Sequence, residues 1–133
     1  MSNFFEWDPG KFALGVQEMD REHQTLIGYM NALHALYAAG APRPAVAKAL
    51  DDLAKYTIQH FADEEAYMQR TNFPDLQKHR GVHKTLLERV TGYIKEFQST
   101  GQLTDGFFAF LKMWLRAHIC GVDSKYAQRS AAA

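Results

Sequence analysis

Leu76-Gln77-Lys78-His79-Arg80-Gly81-Val82-His83-Lys84-Thr85-Leu86-Leu87-Glu88-Arg89-Val90 reads as an amphipathic helix with two histidines on its apolar seam. Leu76, His79, His83, Leu86, Val90, Tyr93 and Phe97 recur at alternating steps of three and four. Steps averaging 3.5 residues are the pattern of helices that interlock side chains. A seam position calls for Leu, Ile or Val. An imidazole there carries a desolvation cost unless something binds it. His79 and His83 are four apart, so both point from one face of the helix.

Three other stretches repeat the pattern. Met19, His23, Leu26, Met30, Leu33 and Tyr37 form one seam. Val46, Leu50, Leu53, Thr57, His60, Glu64 and Tyr67 form the second, with His60 and Glu64 again four apart. Phe108, Leu111, Leu115, His118 and Val122 form the last, with Asp123 one step beyond. Five of the six histidines and two carboxylates thus sit on the seams of four separate segments.

The breaks between segments are short. Gly40-Ala41-Pro42-Arg43-Pro44, Thr71-Asn72-Phe73-Pro74 and Ser99-Thr100-Gly101-Gln102 divide helices expected near 18–39, 44–70, 75–98 and 105–121. Pro74 suits a first helical turn, and Thr104 suits an N-cap. Short connections join antiparallel neighbours, so the expected fold is all-α, an up-down-up-down four-helix bundle in one domain. An arm over residues 1–15, rich in Phe4, Phe5, Trp7 and Phe12, is expected to strap across it. This topology brings the start of helix one, the end of helix two, the start of helix three and the end of helix four to one end of the bundle. Those are the regions that carry the seven polar seam residues. Leu33, Leu50, Val90 and Leu111 line the other end as ordinary core.

Composition bounds the partners. The chain has 133 residues, enough for one domain with a real core. Its net charge is zero, which argues against nucleic acid. No apolar run approaches the ~20 residues of a membrane span, and the N-terminus lacks the basic segment of a secretory signal. The single cysteine, Cys120, excludes an internal disulfide and fits a reducing, cytoplasmic setting. It reads as a small buried residue, out of phase with His118. Ala131-Ala132-Ala133 reads as a disordered tail.

Seven ligands exceed what one transition ion takes. Two ions of about six ligands each are the economical reading. Five imidazoles, two bridging carboxylates and a bridging oxide or hydroxide then leave one vacant position. The donor set is too rich in nitrogen for magnesium or calcium, and zinc thiolate sites need cysteines that are absent. Iron fits best. Carboxylate-rich di-iron bundles load negative charge onto the metals. Here two ferrous ions, two carboxylates and a hydroxide leave a single net positive charge, which favours the reduced pair. His118 and Asp123 are five apart, about 140° around a regular helix, so the last turn must distort or end, which Gly121 permits.

The segments Asp20-Arg21-Glu22-His23, His60-Phe61-Ala62-Asp63-Glu64-Glu65, His79-Arg80-Gly81-Val82-His83 and Trp114-Leu115-Arg116-Ala117-His118-Ile119-Cys120-Gly121-Val122-Asp123 resemble the hemerythrins, in particular the single-domain bacterial ones. The resemblance runs from about Trp7 to Tyr126. It implies one iron on His79, His83 and His118 and another on His23 and His60, with Glu64 and Asp123 bridging. It also implies dioxygen bound end-on at the two-histidine iron, in a pocket formed by Leu26, Phe61, Trp114, Leu115 and Ile119. Tyr126 resembles a family position near the site, although packing on the bundle accounts for it equally well.

The remaining polar residues read as ordinary. His34 is one step off its seam and reads as a rim or surface histidine. Asp63 and Glu65 miss the seam phase and read as a solvated face. Trp114 needs no role beyond the core. The expected function is reversible dioxygen binding without turnover, for storage, delivery or scavenging, by a monomer that hands oxygen to an oxygen-consuming enzyme. The alternatives are a di-iron peroxidase, oxidase or nitric oxide reductase, and an oxygen or iron sensor acting through a separate partner. The apolar pocket, with no acid or base besides the ligands, favours binding over turnover.

Overall fold

The computed structural model describes residues 4–123, except the side chains of Pro9, Lys11, Cys120, Gly121 and Val122. The readings made for the Cys120 and Val122 side chains, for Tyr126 and for the alanine tail fall outside those residues.

A short helix α1 (Pro9–Phe12) precedes the four long ones: α2 (Gln17–Ala38), α3 (Arg43–Arg70), α4 (Leu76–Thr100) and α5 (Asp105–Ala117). A π-helical turn, His118–Asp123, follows α5. The chain is an all-α, up-down-up-down four-helix bundle, with no strand among the described residues. No described helix is long and apolar enough to cross a membrane.

Local chemistry sets the helix ends. The Asp20 carboxylate accepts from the backbone N–H groups of Leu14 (2.7 Å) and Gly15 (3.2 Å), fixing the entry to α2. Pro44 lies in the first turn of α3, where its missing N–H leaves no bond unmade. Pro74 was expected in the first turn of the next helix. It sits instead in the turn ahead of α4, which starts at Leu76. Gly101 ends α4 in the left-handed region at φ 74°, donating its N–H to the Phe97 carbonyl. Thr104 caps α5, its hydroxyl accepting from the Phe107 N–H at 3.2 Å.

The core separates into two clusters. The larger holds Leu26, Met30, Leu33, Leu50, Leu53, Val90, Phe107, Leu111 and Leu115, with others, along the bundle. The smaller, Met19, Met68 and Phe73, closes the opposite end. Met19 is one turn before His23 and Met68 one turn after Glu64, so the polar seam residues form the layer between the two clusters.

The arm lies across the bundle. Phe5 and Phe12 are buried, and Phe4 stacks on His34 at 4.5 Å between centroids. His34 is half-buried at this rim, away from the polar layer. Asn31 anchors the arm: Phe5 donates its N–H to Asn31 Oδ1, and Asn31 Nδ2 donates to the Phe5 carbonyl, both at 2.8 Å. Asn31→Ala removes both bonds and leaves the Phe5 amide and carbonyl unsatisfied. We expect a loss of about 1–3 kcal/mol in chemical denaturation, with faster proteolysis confined to the arm. Unchanged stability and cleavage would mean the aromatic side chains hold the arm by themselves.

Candidate metal centre

Each long helix contributes to one buried polar layer. α2 supplies His23, α3 supplies His60 and Glu64, α4 supplies His79 and His83, and the π turn supplies His118 and Asp123. All seven are buried, with His23, Glu64 and Asp123 at 0 % exposure. Bonding from residue i to i+5 defines a π turn and brings the sixth residue back over the first. That resolves the five-residue spacing of His118 and Asp123. The last helix was expected near 105–121 with its last turn distorted or ended; α-helix stops at Ala117, and the distortion is this π turn, which lets both side chains face the layer.

The ligand atoms fall into two groups. Glu64, His79, His83, His118 and Asp123 form one, and His23, His60, Glu64 and Asp123 form the other; within each group the ligand atoms lie within 4.8 Å of one another. Both carboxylates belong to both groups. Asp123 turns Oδ1 toward His79 and His118, each at 3.0 Å, and Oδ2 toward His23 at 3.0 Å. Glu64 turns Oε1 toward His83 at 3.2 Å and Oε2 toward His23 at 3.4 Å. These approaches lack hydrogen-bonding geometry. Nε2 of His23, His60, His83 and His118 and both Asp123 oxygens are buried without a hydrogen bond. Imidazole nitrogens and carboxylate oxygens that converge in a buried layer without hydrogen-bonding geometry fit a cation. Imidazole and carboxylate donors, with no thiolate among the described residues, suit a first-row transition ion.

Two carboxylates hold histidines from behind, and here the sequence reading needs correcting. Glu65 was read as part of a solvated face. It is three-quarters buried, and its Oε2 lies 3.1 Å from His83 Nδ1 while its Oε1 accepts from Arg80 Nε at 3.0 Å. Asp63 accepts from Gln59 Nε2 at 2.8 Å and faces Glu22. Glu22, given no role from the sequence, places Oε1 2.7 Å from His60 Nδ1. A carboxylate on Nδ1 fixes the tautomer that points the Nε2 lone pair inward. Burial raises the Glu22 pKa above the usual carboxylate value and Asp63 adds to the rise, against the lowering effect of His60. The sequence signal was present, because Glu22 adjoins His23 and Glu65 adjoins Glu64. Only the register between helices shows that each serves a histidine on another helix.

The expected pocket residues adjoin the layer. Leu26, Phe61, Trp114, Leu115 and Ile119 are all buried. Phe61 stacks on His83 at 3.9 Å and 3°, and meets Trp114 edge-on at 5.8 Å. Trp114 lies 5.8 Å from His118.

A sequence profile of the hemerythrin HHE cation binding domain matches residues 14–129. The chain belongs to the hemerythrin family. It is 37 % identical over 122 residues to a myohemerythrin of Riftia pachyptila, covering 92 % of this chain and 90 % of that one. It is 33 % identical over 116 residues to a bacteriohemerythrin of Stenotrophomonas maltophilia, covering 87 % and 75 % respectively. Among solved structures, a hemerythrin with a leucine-to-alanine substitution superposes with a TM-score of 0.89 at 28 % identity, over 96 % of this chain and 98 % of that one. A wild-type hemerythrin superposes at 0.86 and 30 % identity, over 93 % and 95 %. Family membership and the buried cluster together indicate a metal site.

Without a metal, protons must balance the two buried carboxylates. Burial alone would lower the histidine pKa values, but Asp123 and Glu64 override it and push His23 up to about 9 and His118 up to about 10. Burial acts to raise Glu64 and Asp123, and the surrounding histidines override it and lower both. The folded values of His23 and His118 lie above the ordinary 6.5. Their contribution to the stability of the metal-free chain is therefore complete below about pH 6.5 and is lost as pH rises through 9 to 10. Metal binding needs both imidazoles neutral, so loading at neutral pH should release at least these two protons and strengthen as pH rises. Calorimetric titration with metal in buffers of different ionisation enthalpy measures the proton count. A count of zero would contradict the protonated resting layer.

Proposed function

We propose that the layer holds two iron ions, one on His79, His83 and His118 and the other on His23 and His60, bridged by Glu64, Asp123 and an oxide or hydroxide. The observation that carries this reading is the division of the ligand atoms into two groups that share both carboxylates. The irons supply reversible electron exchange with dioxygen, and the chain acts as an oxygen carrier or store rather than a catalyst. The three-histidine set leaves less room at its ion than the two-histidine set, so the small ligand enters beside His23 and His60. Leu26 and Phe61 follow these two residues closely in sequence, and Leu115 and Ile119 flank His118.

The chain's part is to admit a small neutral molecule and exclude water and protons. Leu26 and Ile119 are 0 % exposed and Leu115 is 1 % exposed, so the wall is dry. Among the described residues it offers no acid or base besides the ligands to drive turnover, which supports binding over catalysis. We place the chain as a monomer in the cytoplasm, delivering oxygen to an oxygen-consuming enzyme.

Cycling the iron-loaded, reduced protein between oxygen and argon tests the reading. The optical spectrum should appear with oxygen and disappear without it over repeated cycles. Irreversible conversion to the ferric form on first exposure would favour a di-iron oxidase or peroxidase instead. Replacing Leu115 tests the wall. Leu115→Ala opens a path for water, so autoxidation and azide entry to the ferric form should quicken by about tenfold or more with iron content constant, since a lost barrier of 1.4 kcal/mol is tenfold in rate. Leu115→Trp should slow azide entry. Equal stopped-flow rates in all three proteins at equal iron content would make Leu115 core only.

A further inference from the structure

Glu22 and Glu65 back histidines of different ligand groups, and their own surroundings differ. Glu65 places Oε2 3.1 Å from His83 Nδ1, and its other oxygen accepts from Arg80 Nε at 3.0 Å. A cation thus shares its charge. Glu22 places Oε1 2.7 Å from His60 Nδ1. Among the described residues no lysine or arginine pairs with it, and the further charged group acting on it is a second acid, Asp63. Asp63 accepts from the neutral Gln59 amide at 2.8 Å and makes no ion pair among the described residues. The Glu22 side chain is 19 % exposed and that of Glu65 25 %, so solvent screens the two about equally.

The group of His23, His60, Glu64 and Asp123 receives this charge by a single route. Nδ1 of His23 is buried without a hydrogen bond. Of the two imidazoles in the group, His60 alone has a carboxylate behind it. A carboxylate on Nδ1 draws the ring proton outward and makes Nε2 the more basic ligand. At 2.7 Å the contact is that of a charge-assisted bond, and it is shorter than the 3.1 Å contact at His83. The field of an unneutralised carboxylate also reaches further through a buried layer than through water.

We propose that Glu22 is the positioning residue that sets the affinity of the two-histidine ion for its small ligand. This deepens the di-iron reading above and rests on it. Dioxygen uptake passes two electrons, one from each iron, to the ligand, and release returns them. A negative charge behind His60 stabilises the electron-poor state of that iron and so favours uptake. The same charge repels an anion that enters beside His60. Glu22 therefore strengthens dioxygen binding and weakens azide binding. Glu65 stands behind the three-histidine iron with its charge shared by Arg80, so it moves both less.

Glu22→Gln separates charge from shape, because the amide keeps an oxygen to accept from His60 Nδ1. Iron content of each loaded protein is measured first. The dioxygen dissociation constant of the reduced variant should rise about tenfold, the difference between a charged and a neutral acceptor. The azide dissociation constant of the ferric variant should fall by about threefold or more as the repulsion is removed. A merely loosened site would move both constants the same way. Asp63→Asn leaves the Glu22–His60 bond in place and removes the more distant charge, so it should give the same two signs with smaller size. Glu65→Gln should change either constant by less than about threefold, its charge being already paired and screened. Mössbauer spectra of the oxidised proteins locate the effect. Glu22→Gln should shift one of two ferric doublets more than the other, and Glu65→Gln should reverse that order. Dioxygen and azide constants that move together, or equal shifts from Glu22→Gln and Glu65→Gln, overturn the role of Glu22. If Glu22→Gln fails to hold iron, Asp63→Asn without opposite-signed shifts overturns it. Fewer than two irons per chain in the wild type would overturn the di-iron reading itself, whereas two irons with no opposite-signed shift overturn the role of Glu22 alone.

Discussion

Two carboxylates and five imidazoles buried in one layer are the constraint on which the rest of the structure depends. Glu64 and Asp123 are fully buried, and an isolated buried carboxylate is untenable without compensating charge. Metal ions or histidine-bound protons must supply it. Against the effect of burial, Glu64 and Asp123 hold the His23 and His118 pKa values up, so both keep a proton, yet imidazole and carboxylate atoms stand at contact distances without hydrogen-bond geometry. Metal ions satisfy the same atoms at once. Because all four long helices or their extensions contribute to the layer, an ion there fastens the whole end of the bundle. Among the described residues, the buried apolar cluster beyond it is small: Met19, Met68 and Phe73, with Leu14, Val16, Tyr67 and Leu76 packed on it. Metal affinity and folding stability are therefore linked in this chain.

The layer was legible in the sequence because a seam exposes its exceptions. His23, His60, Glu64, His79, His83 and His118 fall in phase with Leu and Val, and short Gly- and Pro-containing breaks fix which helix ends meet. His34 served as the internal control: one step out of phase, it lies at the rim against Phe4. Asp123 was the residue that regular geometry could not place. Its spacing from His118 showed that the helix must change, but a π turn and a helix end are equally compatible with Gly121.

The second sphere was not legible in the same way. Glu65 follows Glu64 and Glu22 precedes His23, so each is out of phase and looks solvated. Their partners are His83, 18 residues away, and His60, 38 residues away. A periodicity argument shows which face of a helix a residue occupies. It does not show the axial offset between two helices, and that offset decides whether a carboxylate meets an imidazole. The Asn31 clamp on the arm was hidden for the same reason, since its partner is a backbone amide and carbonyl. Together Glu22 and Glu65 back one histidine in each ligand group. Glu65 also answers to Arg80 while Glu22 faces Asp63, so the two halves of the centre sit in different fields.

We propose a pair of irons in this layer, rather than one ion or a set of protons. Iron quantification with Mössbauer spectroscopy on the reconstituted, oxidised protein tests it most directly. Two irons per chain, in two inequivalent ferric environments of equal population and coupled to a diamagnetic ground state, are the predicted result. One iron per chain with an isolated paramagnetic signal would contradict the account.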